Sequence, residues 1–577
     1  MYTVSQIKKV VVSENLLSQE EFLKSAKEAE NRDEYLVDYL VTKGIAREDT
    51  LYQMLAQSEN KPFINLKERT IRQDVLFLIP EPIAKTHEMI AFDITEDGVL
   101  KIAAVDPDDI QTFEFIEKKS GRKVDVALTT PESIRQALRL YHQSLETEFR
   151  NLSQTTEKTI GEPGADLEKL ATDLPVVRLV NSLLEYAIFE GASDIHIEPQ
   201  ENELIVRYRI DGILRQVMTL PKSVLSGIVA RIKILSNLKL DEHRLPQDGR
   251  FKIEDENYKI SFRVSTLPVF EGEKIVMRLL DESNKLLNLE ELGFRKADLK
   301  KIENAISRPY GMLLVTGPTG SGKTTTLYSV LHKLNTPEVN ISTIEDPIEY
   351  RMQHVNQSQV NPKINFTFAS GLRALLRQDP NIIMVGEIRD QETAEIAIHA
   401  AMTGHKVLST LHTNDAPGTL PRLLDMGVVP FLIASTVNAV IAQRLVRKIC
   451  THCIMSYNLD KDAIEDLSDQ MDLKEFLKML KNEGAVEAKE EHLSKLLFFK
   501  GKGCKKCGGT GYKGRLGIYE ILEITEEIKR CIIAHADSSA IRVQAKKEGM
   551  TMMLQDGLVK AKNGITSIEE ILRVTRE

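Results

Sequence analysis

Several things are scarce in this chain, and each scarcity closes off a class of protein. Only five of its 577 residues are cysteine, too few for the disulfide framework of a secreted scaffold. There is no surplus of positive charge: 76 Lys and Arg face 85 Asp and Glu, a net −9, which argues against wholesale nucleic-acid binding. Long apolar runs are missing too. The longest candidate, residues 428–446, is interrupted by Pro430, Ser435, Thr436, Asn438, Gln443 and Arg444, so it reads as a core helix rather than a membrane span. The chain opens on a mixed segment with Lys8, Lys9 and Glu14 instead of a basic and apolar leader. No repeat of 20–50 residues is evident. The expectation is a soluble, cytosolic protein of three or four domains.

What is present starts with Gly317, Pro318, Thr319, Gly320, Ser321, Gly322, Lys323 and Thr324. This is a complete phosphate-binding P-loop, entered by an apolar strand at 312–316 and left by a helical stretch at 324–334. The glycines let backbone N–H groups close around phosphates, and the following helix N-terminus adds its positive dipole end. Lys323 can reach the β- and γ-phosphates, and the Thr324 hydroxyl can ligate Mg²⁺. The chain is expected to bind ATP with Mg²⁺.

Three further apolar stretches end in polar clusters. Residues 382–385 lead into Gly386 and Glu387, and residues 342–344 lead into Glu345, Asp346 and Glu349. Residues 406–411 are bracketed by His405 and His412. In open α/β sheets the carboxyl ends of parallel strands face the ligand crevice, so all three clusters are expected on the P-loop edge. Singly such groups are ordinary; together they point to catalysis.

Upstream, the first sixty residues carry helical patterns and form an N-terminal helical module (1–60). An α/β module follows (61–152), then a Gly- and Pro-containing linker (153–172). A second α/β domain spans 173–288, with strands expected at 193–197, 203–210, 213–220, 250–260 and 274–280. The alternation of Leu204, Val206, Tyr208 and Ile210 puts Arg207 and Arg209 on the opposite face. The nucleotide-binding domain runs from 289 to 577. The fold class expected is α/β multidomain, with a P-loop NTPase core.

Four of the cysteines form two CxxC knuckles, Cys450 with Cys453 and Cys504 with Cys507, the second followed by Gly508, Gly509 and Gly511. Four thiolates suit a closed tetrahedral Zn²⁺ site. The intervening residues exceed the spacing of an ordinary zinc ribbon, which reads as an acidic helical insertion at 460–500 standing on a zinc base. Free or redox-active thiols are the alternative, His452 is a possible substitute ligand, and Cys531 reads as a small buried hydrophobe.

The P-loop, the acidic box 343–349, Gly386-Glu387-Ile388-Arg389-Asp390, and the segments Thr403-Gly404-His405 and His412-Thr413-Asn414-Asp415 resemble those of the secretion ATPases. These are the hexameric motors of type II secretion and type IV pilus assembly. Gly191-Ala192-Ser193-Asp194, Arg207-Tyr208-Arg209, Pro246-Gln247-Asp248-Gly249-Arg250 and Gly272-Glu273 extend the resemblance through residues 173–577. It implies a RecA-like core preceded by a small PAS-like α/β domain. It further implies Glu387 near Mg²⁺, Glu349 as base for the attacking water with Glu345 and Asp346 in support, and His405 and His412 coupling the γ-phosphate to neighbouring segments. Arg207 and Arg209 become charge-stabilising fingers reaching a nucleotide, with a solvated sheet face as the bland alternative. A homohexamer is implied, cytoplasmic and peripheral at the inner membrane through a platform protein, with pilus assembly favoured over type II secretion. The N-terminal region resembles modules some of which bind cyclic di-GMP. Here Tyr35 and Val37 stand where an arginine and a glycine would align, so the fold is expected without that ligand's charge partner. A non-hydrolysing ATP-binding scaffold and a DNA-translocating motor remain the alternatives from other classes.

Overall fold

The two kinds of hydrophobic pattern in this sequence fold into two kinds of sheet. The computed structural model describes residues 4–141, 172–459, 473–482 and 496–575, with interruptions at 15, 32–35, 67–68, 139, 173, 255–258, 283–286 and 505–506, and also residues 464, 467 and 468. The linker read at 153–172, apart from residue 172, and Tyr35 lie outside the described residues. The chain forms two compact units, Met1–Asp281 and Glu282–Glu577.

The first unit opens with helices Val4–Ser13, Gln19–Asn31, Leu36–Thr42 and Glu48–Ser58. Their apolar faces (Ile7, Phe22, Leu40, Leu51, Leu55) are buried. Strands β1 (Met89–Ile94), β2 (Leu100–Ala104) and β3 (Val124–Leu128) follow in one small sheet. Gly121 ends the helix Ile110–Ser120 in the left-handed region at φ 64°, where a side chain would be strained. After the helix Leu174–Phe189 come β4 (Asp194–Pro199), β5 (Glu203–Ile210), β6 (Ile213–Pro221), β7 (Gln247–Glu254), β8 (Lys259–Val269) and β9 (Gly272–Asp281). They make a six-stranded antiparallel sheet in the order β6-β5-β4-β9-β8-β7. On β5, Leu204, Val206 and Tyr208 are buried while Arg207 and Arg209 line the other face, the period-2 signature of a half-covered sheet. The single strand expected at 250–260 is in fact the end of β7 and the start of β8. The period of two holds in both strands, but the apolar positions switch from odd (Phe251, Ile253) to even (Ile260, Phe262, Val264), a phase break that marks the boundary between two strands.

The second unit is built on β10 (Gly311–Thr316), β11 (Ile341–Glu345), β12 (Val355–Gln359), β13 (Ile382–Val385), β14 (Lys406–Leu411), β15 (Val437–Ile449) and β18 (Tyr512–Glu523). Their order is β12-β11-β13-β14-β10-β15-β18, parallel except for β18. Every residue of β10, β11 and β13 is buried, as expected of parallel strands covered on both faces. Burying each Leu, Ile or Val there contributes about 1.5–3 kcal/mol.

The expected core helix at 428–446 is a correction. A seven-residue helix, Pro430–Thr436, gives way at once to β15. A buried apolar run does not distinguish helix from central strand by periodicity; the β-branched Val437, Val440, Ile441, Val446 and Ile449 favour the strand, which slots between β10 and β18. The insertion read as helical through residue 500 is also corrected at its end. Strands β16 (Ile454–Asn458) and β17 (Leu497–Gly501) pair antiparallel as its stem, with the helix Leu473–Asn482 between them in sequence.

Candidate active site

Four strand ends meet on one edge of the large sheet. β10 runs into the P-loop, β11 into Asp346 and Glu349, β13 into Gly386 and Glu387, and β14 into His412. These strands are parallel neighbours in the order β11-β13-β14-β10, so their carboxyl ends form a common edge, the ligand side of such sheets.

The P-loop turns through left-handed backbone conformations that favour glycine, and at Gly317 a close approach requires it. Gly317, Gly320 and Gly322 have φ of 142°, 79° and 89°, and a Cβ on Gly317 would stand 2.4 Å from the Gln443 carbonyl oxygen. The helix Lys323–Leu334 starts directly after it. Lys323 is buried, and its ammonium donates to the Gly317 and Pro318 carbonyls at 2.8 and 3.1 Å. Burial pushes its pKa down, and the negative charge of Glu387 opposes that shift, an electrostatic link between the two motifs. Gln443 on β15 braces the loop from beneath: its amide donates to the Ser321 carbonyl at 2.7 Å and accepts from the Thr326 hydroxyl at 2.8 Å.

Glu387 is largely buried and takes two partners that reach solvent. Arg389 lies 2.5 Å from one carboxylate oxygen, and His412 Nε2 lies 3.1 Å from the other. The segment after His412 is tied to the strand that feeds the P-loop: the Thr413 N–H donates to the Thr316 hydroxyl at 2.9 Å.

The acidic box divides into a buried and a more accessible part. Glu345 is buried with both oxygens engaged, by Thr343 at 2.6 Å and Gln357 at 3.1 Å on one and by the Tyr328 hydroxyl on the other. Burial raises its pKa, and these donors hold it back. Glu349 lies four residues on, with its backbone N–H donating to the Tyr328 hydroxyl at 3.4 Å.

His405 is not brought to this edge. It precedes β14 and its carbonyl accepts from the Gly311 N–H at the start of β10, so the six residues of β14 separate it from His412, roughly 20 Å at strand rise. Its ring faces the Ala400 carbonyl at 2.9 Å. The expectation that His405, like His412, couples the γ-phosphate to neighbouring segments is corrected here: strand direction puts one histidine at each end of β14.

Arg207 and Arg209 belong to the first unit and hold carboxylate partners there. Arg207 donates to Glu198 at 2.7 Å; Arg209 lies 3.3 Å from Asp194 and donates to the Gly212 carbonyl at 3.1 Å. Burial works to raise the Glu198 carboxyl, but Arg207 and Lys274 outweigh it and hold it low.

The four knuckle cysteines converge, with Sγ atoms all within 4.8 Å of one another. Cys450 to Cys504 is 3.8 Å, Cys453 to Cys507 3.9 Å and Cys504 to Cys507 3.7 Å. Tetrahedral metal–sulfur bonds of about 2.3 Å set sulfurs about 3.8 Å apart, so the donor set and its dimensions fit Zn²⁺. The N–H groups of Cys504 and Gly511 donate to Cys507 Sγ at 3.1 and 3.2 Å, the turn that Gly509 and Gly511 make possible at φ 77° and 78°.

Tyr328, Gln357 and Gln443 escape the sequence patterns. The signal for Gln443 was a polar side chain, with Asn438 one of two amides, in a largely apolar run; Tyr328 carried none, because an aromatic residue on a helix ordinarily reads as core, and Gln357 matched no motif.

Comparison with known proteins agrees with this geometry. Residues 169–573 match the family described as type II/IV secretion system protein, and residues 60–148 match the MshEN domain. The type IV pilus assembly ATPase PilB of Myxococcus xanthus is 39% identical over 98% of this chain and 97% of its own length. PilB of Pseudomonas aeruginosa is 38% identical over 100% and 99%. The type II secretion system protein E of Dickeya dadantii is 39% identical over 87% of this chain and 97% of its own length. Among solved structures, the Yersinia pseudotuberculosis ATPase DotB superposes with a TM-score of 0.50 at 21% identity, covering 69% of this chain and 93% of that one, a likeness of fold.

Proposed function

This chain belongs to the type II/IV secretion system protein family, and from that premise we propose that it is an ATP-hydrolysing motor of type IV pilus assembly. One observation carries the reading: the P-loop, acidic box, Glu387 and His412 stand on one sheet edge in a chain that aligns end to end with pilus assembly ATPases.

The P-loop N–H groups and Lys323 bind the phosphates of ATP. Thr324 and Glu387 would hold Mg²⁺, which would supply neutralisation of phosphate charge. Glu349 takes a proton from water as the water oxygen bonds to the γ-phosphorus and the bond to the β–γ bridging oxygen breaks. His412, paired with Glu387, relays the state of the site into the segment that Thr413 ties to Thr316. Arg207 and Arg209 supply charge stabilisation to the transferring phosphoryl group in a ring of six copies. The four cysteines hold Zn²⁺, whose role is structural, as in other four-thiolate sites. Among the described residues no helix is long and apolar enough to cross a membrane; recruitment to the inner membrane runs through a platform protein.

The second reading, a type II secretion motor, draws on the Dickeya dadantii relative, which leaves more of this chain unmatched than the pilus relatives do. Gene disruption with imaging of surface filaments separates the two: loss of pili with intact exoprotein secretion supports the pilus reading, and the reverse overturns it. Steady-state ATPase assays with and without DNA address the other classes. Absence of turnover in the assembled ring favours a scaffold, and DNA-stimulated turnover favours a translocase.

A further inference from the structure

The loop between β11 and β12 carries Glu349, and two buried or half-buried side chains clamp its backbone. The Glu349 N–H donates to the Tyr328 hydroxyl at 3.4 Å, the Tyr350 carbonyl accepts from Gln357 Nε2 at 3.2 Å, and the Met352 N–H donates to Gln357 Oε1 at 2.9 Å. Both clamps rest on the same buried carboxylate, because the Tyr328 hydroxyl and the Gln357 amide each donate to Glu345. Tyr328 is fully buried, and its ring meets that of Tyr350 edge-on at 4.5 Å between centroids.

Tyr328 lies on the helix that begins at Lys323. One element therefore carries the phosphate-binding lysine and, two turns or less along it, the hydroxyl that holds the acidic loop. The hydroxyl serves in two senses at once, donating to one Glu345 oxygen and accepting from the Glu349 N–H and from Gln357 Nε2 at 3.4 Å, so its removal releases the Glu349 N–H and that one oxygen. Glu345 needs these donors because a buried carboxylate without hydrogen bonds is costly.

We propose that Tyr328 and Gln357 are positioning residues for ATP hydrolysis: through the backbone of residues 349–352 they fix the Glu349 carboxylate relative to the phosphates held by the P-loop. The inference rests on the reading that Glu349 takes the water's proton. Each acts through the loop and not through contact with nucleotide. Misplacing a reacting group by about 1 Å can cost about 10²-fold in rate, so a clamp of this kind has leverage without chemistry of its own.

Tyr328→Phe in the full-length, assembled protein removes only the hydroxyl. It is expected to lower kcat by about tenfold or more, with the Kd for a fluorescent ATP analogue within about twofold of parental, because ground-state binding is untouched. Gln357→Leu is expected to act in the same direction and serves where the first variant folds poorly. A purely structural role would lower the melting temperature without this split between kcat and Kd. The deciding measurement is coupling: Tyr328→Phe combined with Glu349→Gln should turn over no more slowly than Glu349→Gln alone, since a misplaced base and an absent one are equivalent. Parental kcat in both single variants, equal losses in kcat and binding, or multiplicative losses in the double variant each overturn the inference. Glu349→Gln alone separates it from the reading beneath. Parental turnover there removes Glu349 from the chemistry and the clamp's purpose with it; slow turnover there with a parental Tyr328→Phe overturns the clamp only.

Discussion

Glu387 and His412 meet across two adjacent parallel strands, Oε2 to Nε2 at 3.1 Å, although 25 residues separate them in sequence. The other Glu387 oxygen pairs with Arg389, so both carboxylate oxygens are held in place at the P-loop edge of the sheet. Glu387→Gln keeps the shape and loses the charge. Nucleotide binding should be largely spared and hydrolysis suppressed by about 10²-fold or more. Equilibrium binding of an ATP analogue alongside steady-state phosphate release checks this, and near-parental hydrolysis removes Glu387 from the catalytic set.

Lys323→Ala should behave differently, weakening binding and turnover together. The ammonium is pre-positioned against the Gly317 and Pro318 carbonyls, so its loss removes a phosphate partner in ground state and transition state alike. Unchanged affinity for the ATP analogue would refute that role.

Arg207→Ala and Arg209→Ala test whether the first unit contributes to hydrolysis. Arginine fingers supply on the order of 10³–10⁵ in rate elsewhere, and a large loss of kcat with an unchanged fold is expected. Each substitution also leaves Glu198 or Asp194 with one partner fewer, but Lys274 at 2.9 Å and Arg278 at 2.9 Å remain, so the sheet should survive. ATP turnover at the parental rate in both variants would make these charges a solvated sheet face.

The cysteine cluster predicts about one Zn²⁺ per chain by elemental analysis of purified protein. Cys504→Ser or a strong chelator should release it and lower the melting temperature by several degrees, at roughly 2–4 °C per kcal/mol lost in a domain of this size class. Metal-free protein with an unchanged melting curve would leave only four neighbouring thiols.

Glu570 gives a pH test. Burial pushes its carboxyl up, but hydrogen bonds from Arg573 and Arg447 outweigh that and hold it below the ordinary 4.5. A depressed carboxyl contributes stability that is complete above 4.5 and is lost as pH falls through the folded-state value. Glu570→Gln should therefore melt lower than parental at pH 7, by about 3 kcal/mol if a buried pair is broken, and the gap should close on acidification below 4.5. A gap that stays constant with pH would exclude the charge as its cause.

The N-terminal helices, the P-loop with its flanks and the alternation on β5 were legible from residue order because each is local. Glycine conformational freedom, helical spacing and strand alternation act over a few neighbouring residues. The run 428–446 was misread because burial on both faces erases the period that separates helix from strand, and β15 owes its form to β10 and β18 on either side. His405 and His412 were treated as one cluster although they bracket a single strand; once β14 is known to run parallel to β10, only His412, at its carboxyl end, can face the ligand edge.

The sequence by itself determined that a nucleotide loop, three acidic or histidine clusters and two thiol pairs exist, because those depend on residue type and short spacing. Tertiary structure decided which of them meet. The order β11-β13-β14-β10 set Glu387 against His412 and left His405 at the far edge. Packing placed the Tyr328 hydroxyl between Glu345 and the loop carrying Glu349, and the pairing of β16 with β17 helped close the gap between the two CxxC knuckles. Contacts across tens of residues depend on strand order and on which faces exclude water, and neither is written in any window of the chain short enough to read as a pattern.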